Sequence, residues 1–349
     1  MSQDYYGGAS SPRRAKRLGW RIFGPLIVFV VILAIYSAYW HWAKSQLVAG
    51  IDAWIDGERA RGMQVEYSAK RFDGFPFRFA LTLDDPVYGD PDQQQRWQGE
   101  KLQLVMQPWN WQHIIARSPG ENRIFERGLE GWARLGPKSA SSLSWSDTGL
   151  ERFSIAIDTV SFDLAGELAG EADAFEFHLR TYPGEPDTLQ LETHWQSIRL
   201  GDVIPGTEPL GQTVGPTILR AEATKAFSAL AITPEPSRWP ATVLSLGGEI
   251  RVPQVLVEWG PLNAGARGGL ATGDQGDLKG SVGVRIEKAD ALREALAEAG
   301  RLNEQTDMAI QALEAASTDG RFLELSVRDD GLYMLGNQVI PLDLGGPLG

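Results

Sequence analysis

The sequence contains no cysteine. That excludes a disulfide framework, a thiolate nucleophile, a soft metal ligand and any lipid attached through sulfur. Histidine is almost as scarce: His41, His113, His178 and His194 are scattered, with no His-Glu-x-x-His spacing to set two imidazoles on one helical face. His178 alternates with Glu176 and Arg180, and His194 with Glu192 and Gln196, so both belong to polar strand faces. No Gly-x-Ser-x-Gly elbow, Ser-x-x-Lys or Walker loop occurs. The acidic pair Asp84-Asp85 closes a strand and is expected to be solvated, not to hold a cation. Nothing local signals catalysis, a metal or a cofactor, and a noncatalytic protein is expected.

Basic side chains are in deficit everywhere except at the N-terminus. The chain carries a formal charge of -12; residues 1–21 hold five basic residues and one acidic, or +4, which leaves -16 for the remainder. Affinity for phosphates needs basic groups that displace counterions, so nucleic acid is excluded as a partner. Attraction of the acidic part to anionic headgroups by net charge is disfavoured for the same reason.

Against these absences stands one long apolar stretch, Ile22 to Trp42, free of Asp, Glu, Lys and Arg. As a helix it measures about 30 Å, the thickness of a bilayer's hydrocarbon core. Arg13, Arg14, Lys16, Arg17 and Arg21 crowd its start while only Lys44 follows closely, which predicts a cytoplasmic N-terminus. Trp20 on one side, and Tyr36, Tyr39, Trp40 and Trp42 on the other, suit the headgroup layers. Pro25 falls in the first turn of the stretch, where its missing N–H costs little. A cleaved signal peptide would be shorter and end in a small-x-small site; Tyr36-Ser37-Ala38 is not one, so an uncleaved anchor is expected.

The expected organisation is a cytoplasmic basic tail at 1–21, disordered over 1–12; a transmembrane helix at 22–42; an amphipathic linker helix at 43–62; and a periplasmic β-rich domain at 63–349. Leu47, Ile51, Trp54 and Ile55 recur at helical spacing up to Gly62. The period then changes to two in Phe75-Pro76-Phe77-Arg78-Phe79-Ala80-Leu81-Thr82-Leu83, which predicts a half-buried strand. Further strands are expected at Lys101–Gln107, Phe153–Ile157, Val160–Leu164, Ala174–Tyr182, Leu189–Trp195, Glu249–Trp259, Gly280–Glu287 and Phe322–Val327, with Tyr182-Pro183-Gly184, Pro205-Gly206 and the glycine-rich run Gly265 to Gly280 as turns. The apolar phase slips between Ile157 and Val160, which predicts a bulge that bends the strand. Thr207 to Pro240 offers a junction between two lobes, with a short helix near Arg220–Leu230. Helices are expected at Ala289–Ala299 and Asn303–Ala316, parted by Gly300.

The anchor, Arg71-Phe72-Asp73-Gly74-Phe75-Pro76-Phe77-Arg78-Phe79 with Leu81, Leu83 and Pro86, then Trp259-Gly260-Pro261-Leu262, Leu278-Lys279-Gly280-Ser281, Asp330-Gly331-Leu332-Tyr333-Met334-Leu335-Gly336 and Ile340-Pro341-Leu342 recur in this order in a known family. The chain resembles this bacterial family of single-span envelope proteins, domain of unknown function 2125. Gly74, Phe75, Pro76, Gly260, Pro261, Gly331 and Gly336 carry the structural motif. The family supplies no catalytic residue to transfer. More distantly the alternation is similar to that of anchored β-groove proteins that handle lipids between bacterial membranes.

The expected fold is α+β and mainly β: a transmembrane helix, then a large curved antiparallel sheet (groove, partial barrel or sandwich) with a few helices packed near the C-terminus. An open sheet with an apolar inner face must be closed by helices or occupied by an apolar ligand. The leading expectation is therefore a protein of the cytoplasmic membrane that binds or guides lipid. Phe77, Phe79, Leu81 and Leu83 would form the wall, with Trp109 and Trp111 near an opening. The alternative is an envelope scaffold with a filled core whose outer faces recruit other envelope proteins.

Overall fold

The computed structural model describes residues 15–341 apart from 93, 234, 236, 274–276, 329–330 and 335–336; the expected disordered tail lies outside them. Helix α1 runs from Ala15 to Ala60 as 46 residues, about 69 Å of continuous helix. The expected span and linker helix are thus one element. Its upstream part is long and apolar enough to cross a membrane, with a mean hydropathy of 2.0 over its most apolar window. Because the helix starts at Ala15, Pro25 is interior and not in a first turn. Gly62, at φ 85°, turns the chain back.

Trp40 is where α1 changes role. Trp40, Ala43, Ile55 and Glu58 are buried, and Trp40 and Ala43 form a cluster with Phe79, joined by Leu47 and Phe72. The same helix caps the edge of the sheet: Lys44 Nζ donates to the Phe72 carbonyl at 3.3 Å and Arg59 Nη2 to the Val65 carbonyl at 2.8 Å. An open row of strand carbonyls is a template for unwanted pairing, and α1 removes it.

The strands follow as an antiparallel meander. Strands β1 (Gln64–Glu66) and β2 (Ala69–Asp73) are two halves of one run, as are β3 (Phe79–Asp84) and β4 (Val87–Gly89), β5 (Gln95–Gly99) and β6 (Lys101–Gln107), β7 (Asn110–Arg117) and β8 (Gly120–Glu126), and β9 (Leu129–Leu135) and β10 (Ala140–Ser146). In each run one half continues the row β2-β3-β6-β7-β10 and the other the row β1-β4-β5-β8-β9. Both rows then pair with the long strand β11 (Gly149–Leu164), β10 on its first half and β9 on its second. Strands β12 (Leu168–Tyr182), β13 (Glu185–Trp195), β14 (Ser197–Leu200), β15 (Thr213–Ala223), β16 (Glu249–Trp259), β17 (Leu262–Thr272), β18 (Leu278–Glu287), β19 (Leu323–Arg328), β20 (Gly331–Met334) and β21 (Asn337–Pro341) continue the meander.

The breaks between half-strands lie beside one another, so the sheet is creased along a line. Backbone bonds cross between neighbours at the crease, including Asp85 N–H to the Glu100 carbonyl at 3.0 Å, Glu100 N–H to Glu121 at 3.1 Å and Gly136 N–H to Thr159 at 2.8 Å. On β11 the crease falls at Asp158, opposite Ala174, whose φ is 51°. The expected bulge is therefore double: Ile157 faces Phe175 and Thr159 faces Asp173, so each strand carries one extra residue and the register is unchanged. Apolar positions jump by three, from Ile157 to Val160, Ala172 to Phe175 and Trp195 to Ile198. Such a jump returns the apolar set to the same side of a bent sheet.

Among the described residues four shorter α-helices pack on this sheet. α2 (Ala226–Ile232) and α3 (Trp239–Ser245) cover Leu189, Ala223 and Ile250, and α4 (Ala289–Glu298) and α5 (Glu304–Ala316) cover Ala264 and Ile286. The last two match the expected helices, with Gly300 at φ 66° between them. The helix expected at Arg220–Leu230 starts only at Ala226, because Arg220–Ala223 complete β15. That strand pairs with both β13 and β16, so the sheet runs through the segment expected as a junction. Two further corrections concern strands. β7 to β10 were not anticipated, and the glycine run is mostly strand: Gly265, Gly268 and Gly269 lie in β17, where a Cβ on Gly268 would stand 2.5 Å from the Ser281 carbonyl oxygen.

Candidate functional site

Residues directly opposite each other in an antiparallel ladder share a face. Following these partners from α1 gives one row: Phe79, Met106, Ile114, Leu143, Phe153, Leu179, Leu191 and Ala221. One step along β15, Leu219 carries the same face on through Val255, Ala266, Val284 and Leu323. Twelve neighbouring strands thus present a continuous apolar face, about 50 Å across at the usual strand spacing. Phe79 is buried under Trp40, whereas the rest are half-buried and Leu143 is 39% exposed. Helices α2–α3 and α4–α5 sit on the flanks of the row, the first pair touching it at Leu179. Beyond the crease the second arm continues the apolar side through Trp97, Ile124, Gly131, Leu164 and Leu168, with Ile124 54% and Leu164 51% exposed.

The opposite face is polar from β10 onward: Ser142, Ser154, His178, Glu192, Arg220 and Gln254 oppose one another in turn. His178 Nδ1 lies 3.0 Å from Ser154 Oγ, and Arg220 donates to Glu192 at 2.9 Å and to Gln254 at 3.0 Å. Hydrogen bonding from Arg220 holds the Glu192 carboxyl below its usual pKa. Two hollows lie on this face, one of about 1050 Å³ between Ser142, Ser154, Arg152 and Arg180, the other of about 420 Å³ around Glu192 and Arg220. Both are open to water, and their walls mix charged and hydroxyl side chains with apolar ones such as Trp145 and Leu150 in the first and Leu191 and Pro253 in the second. Among the described residues no cluster of His, Asp or Glu could hold a metal ion.

The residues expected to form a groove wall separate into two groups. Phe79, Leu81 and Leu83 lie on β3, but Phe79 and Leu81 are buried and not open, and α1 packs on Phe79 through Trp40. Trp111 joins them, its ring 5.7 Å from that of Phe79. Phe77 is not in the strand at all: β3 begins at Phe79, and Phe77 protrudes from the preceding turn, 72% exposed. Trp109 protrudes likewise from the β6–β7 turn. Gly74, Phe75 and Pro76 form the turn before β3, where Gly74 has φ 109° and a Cβ would lie 2.4 Å from the Arg78 oxygen. Gly260, at φ 53°, and Pro261 turn β16 into β17, with a Cβ on Gly260 2.3 Å from the Leu210 oxygen. Gly331 opens β20, and Gly336 lies outside the described residues. Several strands of the row from Met106 to Leu323 are legible in the sequence, among them Lys101–Gln107, Leu189–Trp195 and Glu249–Trp259, but the row itself is not, because it is made by pairing between strands, each of which contributes a single member.

No curated protein matches the chain. A family model described as an uncharacterised protein conserved in bacteria matches residues 40–342. The match opens at Trp40, the residue at which α1 leaves its exposed apolar part and enters the core, and it covers the whole creased sheet. The chain belongs to this bacterial family, DUF2125.

Proposed function

We propose a noncatalytic, membrane-anchored envelope protein whose sheet binds or guides lipid or another apolar molecule. In this reading α1 crosses the cytoplasmic membrane with its basic end in the cytoplasm, and the β domain stands in the periplasm. The observation that carries it is the apolar row: a face of about 50 Å, aligned residue by residue and left half-exposed between helices that cover only its flanks. A surface of that length in water invites an apolar occupant, and acyl chains suit its width of one to two residues on each strand.

The test is native mass spectrometry with lipid extraction on the full chain, released from its own membrane in mild detergent. Leu143→Asp and Leu164→Asp place charges at exposed positions on the two arms and leave the buried Phe79 cluster untouched. Loss of a stoichiometric lipid in these folded variants is the expected result. A folded wild-type protein that carries no lipid and takes none up when offered would refute the reading and favour an envelope protein partner on the same face.

A further inference from the structure

Two turns of the sheet return to α1 at the level of its apolar part. Tyr36 donates its hydroxyl to the Pro76 carbonyl in the β2–β3 turn, and Tyr39 donates to the Pro108 carbonyl in the β6–β7 turn at 2.9 Å. Tyr36 precedes Trp42, the last residue of the apolar stretch, by about 9 Å along the helix. Both turns therefore stand beside the final turns of the span and not beyond it. Phe75, Phe77, Trp109 and Trp111 are exposed there, next to exposed Tyr39 and Trp42. Phe75 stacks on His41 at 5.8 Å and meets Trp40 edge-on at 5.3 Å, so the first turn is fixed to the helix.

The backbone of these turns is prepared for an apolar surrounding. Irregular chain is tolerated at membrane depth only where its polar groups have partners. Pro76 and Pro108 have no N–H to satisfy, and their carbonyls are taken by the two tyrosine hydroxyls. Arg78 N–H donates to the Gly74 carbonyl at 2.9 Å, closing the first turn on itself. The Arg78 side chain is exposed beside Phe77, placed to reach a headgroup phosphate while its stem lies along the aromatic surface.

We propose that the two turns make a second membrane contact, in which Phe75, Phe77, Trp109 and Trp111 enter the headgroup–acyl boundary of the leaflet from which α1 emerges. The proposal rests on α1 spanning the membrane and is independent of what the apolar row carries. Lipid is the occupant because the patch is continuous with the span and lies at its depth. One consequence concerns the row itself: Phe79, its first member, touches Trp111, so the row starts at the membrane surface.

The chain's lack of cysteine makes the test clean. Spin labels at Phe77→Cys and Trp109→Cys are compared with labels at Val31→Cys in the span, Trp42→Cys at its end and Asp147→Cys on the exposed β10–β11 turn. The full chain is reconstituted into phosphatidylethanolamine–phosphatidylglycerol vesicles, and collision with oxygen and with a water-soluble nickel chelate is measured. The expected result is an oxygen-to-nickel ratio at 77 and 109 several-fold above that at 147 and close to that at 42. Labels at 77 and 109 as nickel-accessible as at 147, with an acyl-core signal at 31, would overturn the contact and leave the anchor intact. An aqueous signal at 31 would overturn both.

Discussion

Replacing Trp40 tests how the helix is held to the sheet. Its indole is 2% exposed, with ring centroids 5.3 Å from those of both Phe75 and Phe79 and the Lys44 ammonium 5.7 Å above it. Trp40→Ala empties that site at a cost of about 3–5 kcal/mol. At about 2–4 °C per kcal/mol for a domain of this size, melting falls by about 6–20 °C. Trp40→Phe separates packing from polarity. Nε1 of Trp40 is buried and has no hydrogen-bond partner among the described residues, and an orphaned buried donor costs about 1–3 kcal/mol. Phenylalanine gives up packing worth about 1–2 kcal/mol but removes the orphan. The two terms cancel to within about 1 kcal/mol, so the conservative variant melts within a few degrees of the parent. Circular dichroism of the full chain in detergent micelles reads both. Equal damage from phenylalanine and alanine would mean that the indole N–H has a partner and the cancellation is wrong. A neutral alanine variant would mean that α1 does not dock through this residue.

Two further substitutions probe the turn and a helix start. Gly74→Ala forces a side chain into φ 109° with its Cβ 2.4 Å from the Arg78 oxygen, and should cost about 1–3 kcal/mol; unchanged urea unfolding would contradict the turn's geometry. Asp187 heads α2, accepting from Phe227 N–H at 2.9 Å, Ser228 N–H at 3.0 Å and Ser228 Oγ at 2.7 Å. Burial raises its pKa, but these bonds outweigh it and hold the carboxyl below its usual value. A depressed folded pKa contributes stability above the unfolded value of about 4, and loses it as pH falls through the folded value. Asp187→Asn exchanges charge-assisted hydrogen bonds for neutral ones and should therefore cost about 1 kcal/mol at neutral pH, a gap that urea titrations find closing in acid; a gap constant from pH 7 to acid would refute the assignment.

The elements legible in the sequence were those whose pattern is local. Ile22–Trp42 announced itself by lacking charge, Lys101–Gln107 and Glu249–Trp259 were recognised with the limits they have in the structure, and α4 and α5 followed from their spacing around Gly300. Strands β7 to β10 were not, because serine and arginine dilute their alternation and the pairing partners supply what the pattern lacks. Gly265–Gly269 looked like turns since glycine usually punctuates; here the close approach of β18 requires it. The slip at Ile157–Val160 was visible, but its counterpart at Ala174 and its repetition in neighbouring strands belong to the sheet. Phe77 and Phe79 differ by burial, which period two alone cannot distinguish when a turn intervenes and a helix lands on only one of them.

Helix α1 passes from the exposed apolar segment to the sheet's edge without a break, and Lys44 and Arg59 fasten it to strand carbonyls on the way. A domain on a flexible tether samples a hemisphere of positions and meets partners at any orientation. A rigid shaft removes that freedom. Were the exposed apolar segment set in a bilayer, its tilt and azimuth would become the bearings of every strand, and the apolar row would keep one heading relative to the membrane. Anything that meets the row must approach it from that side, and lengthening or shortening α1 by a single residue would swing the row about 100° around the shaft.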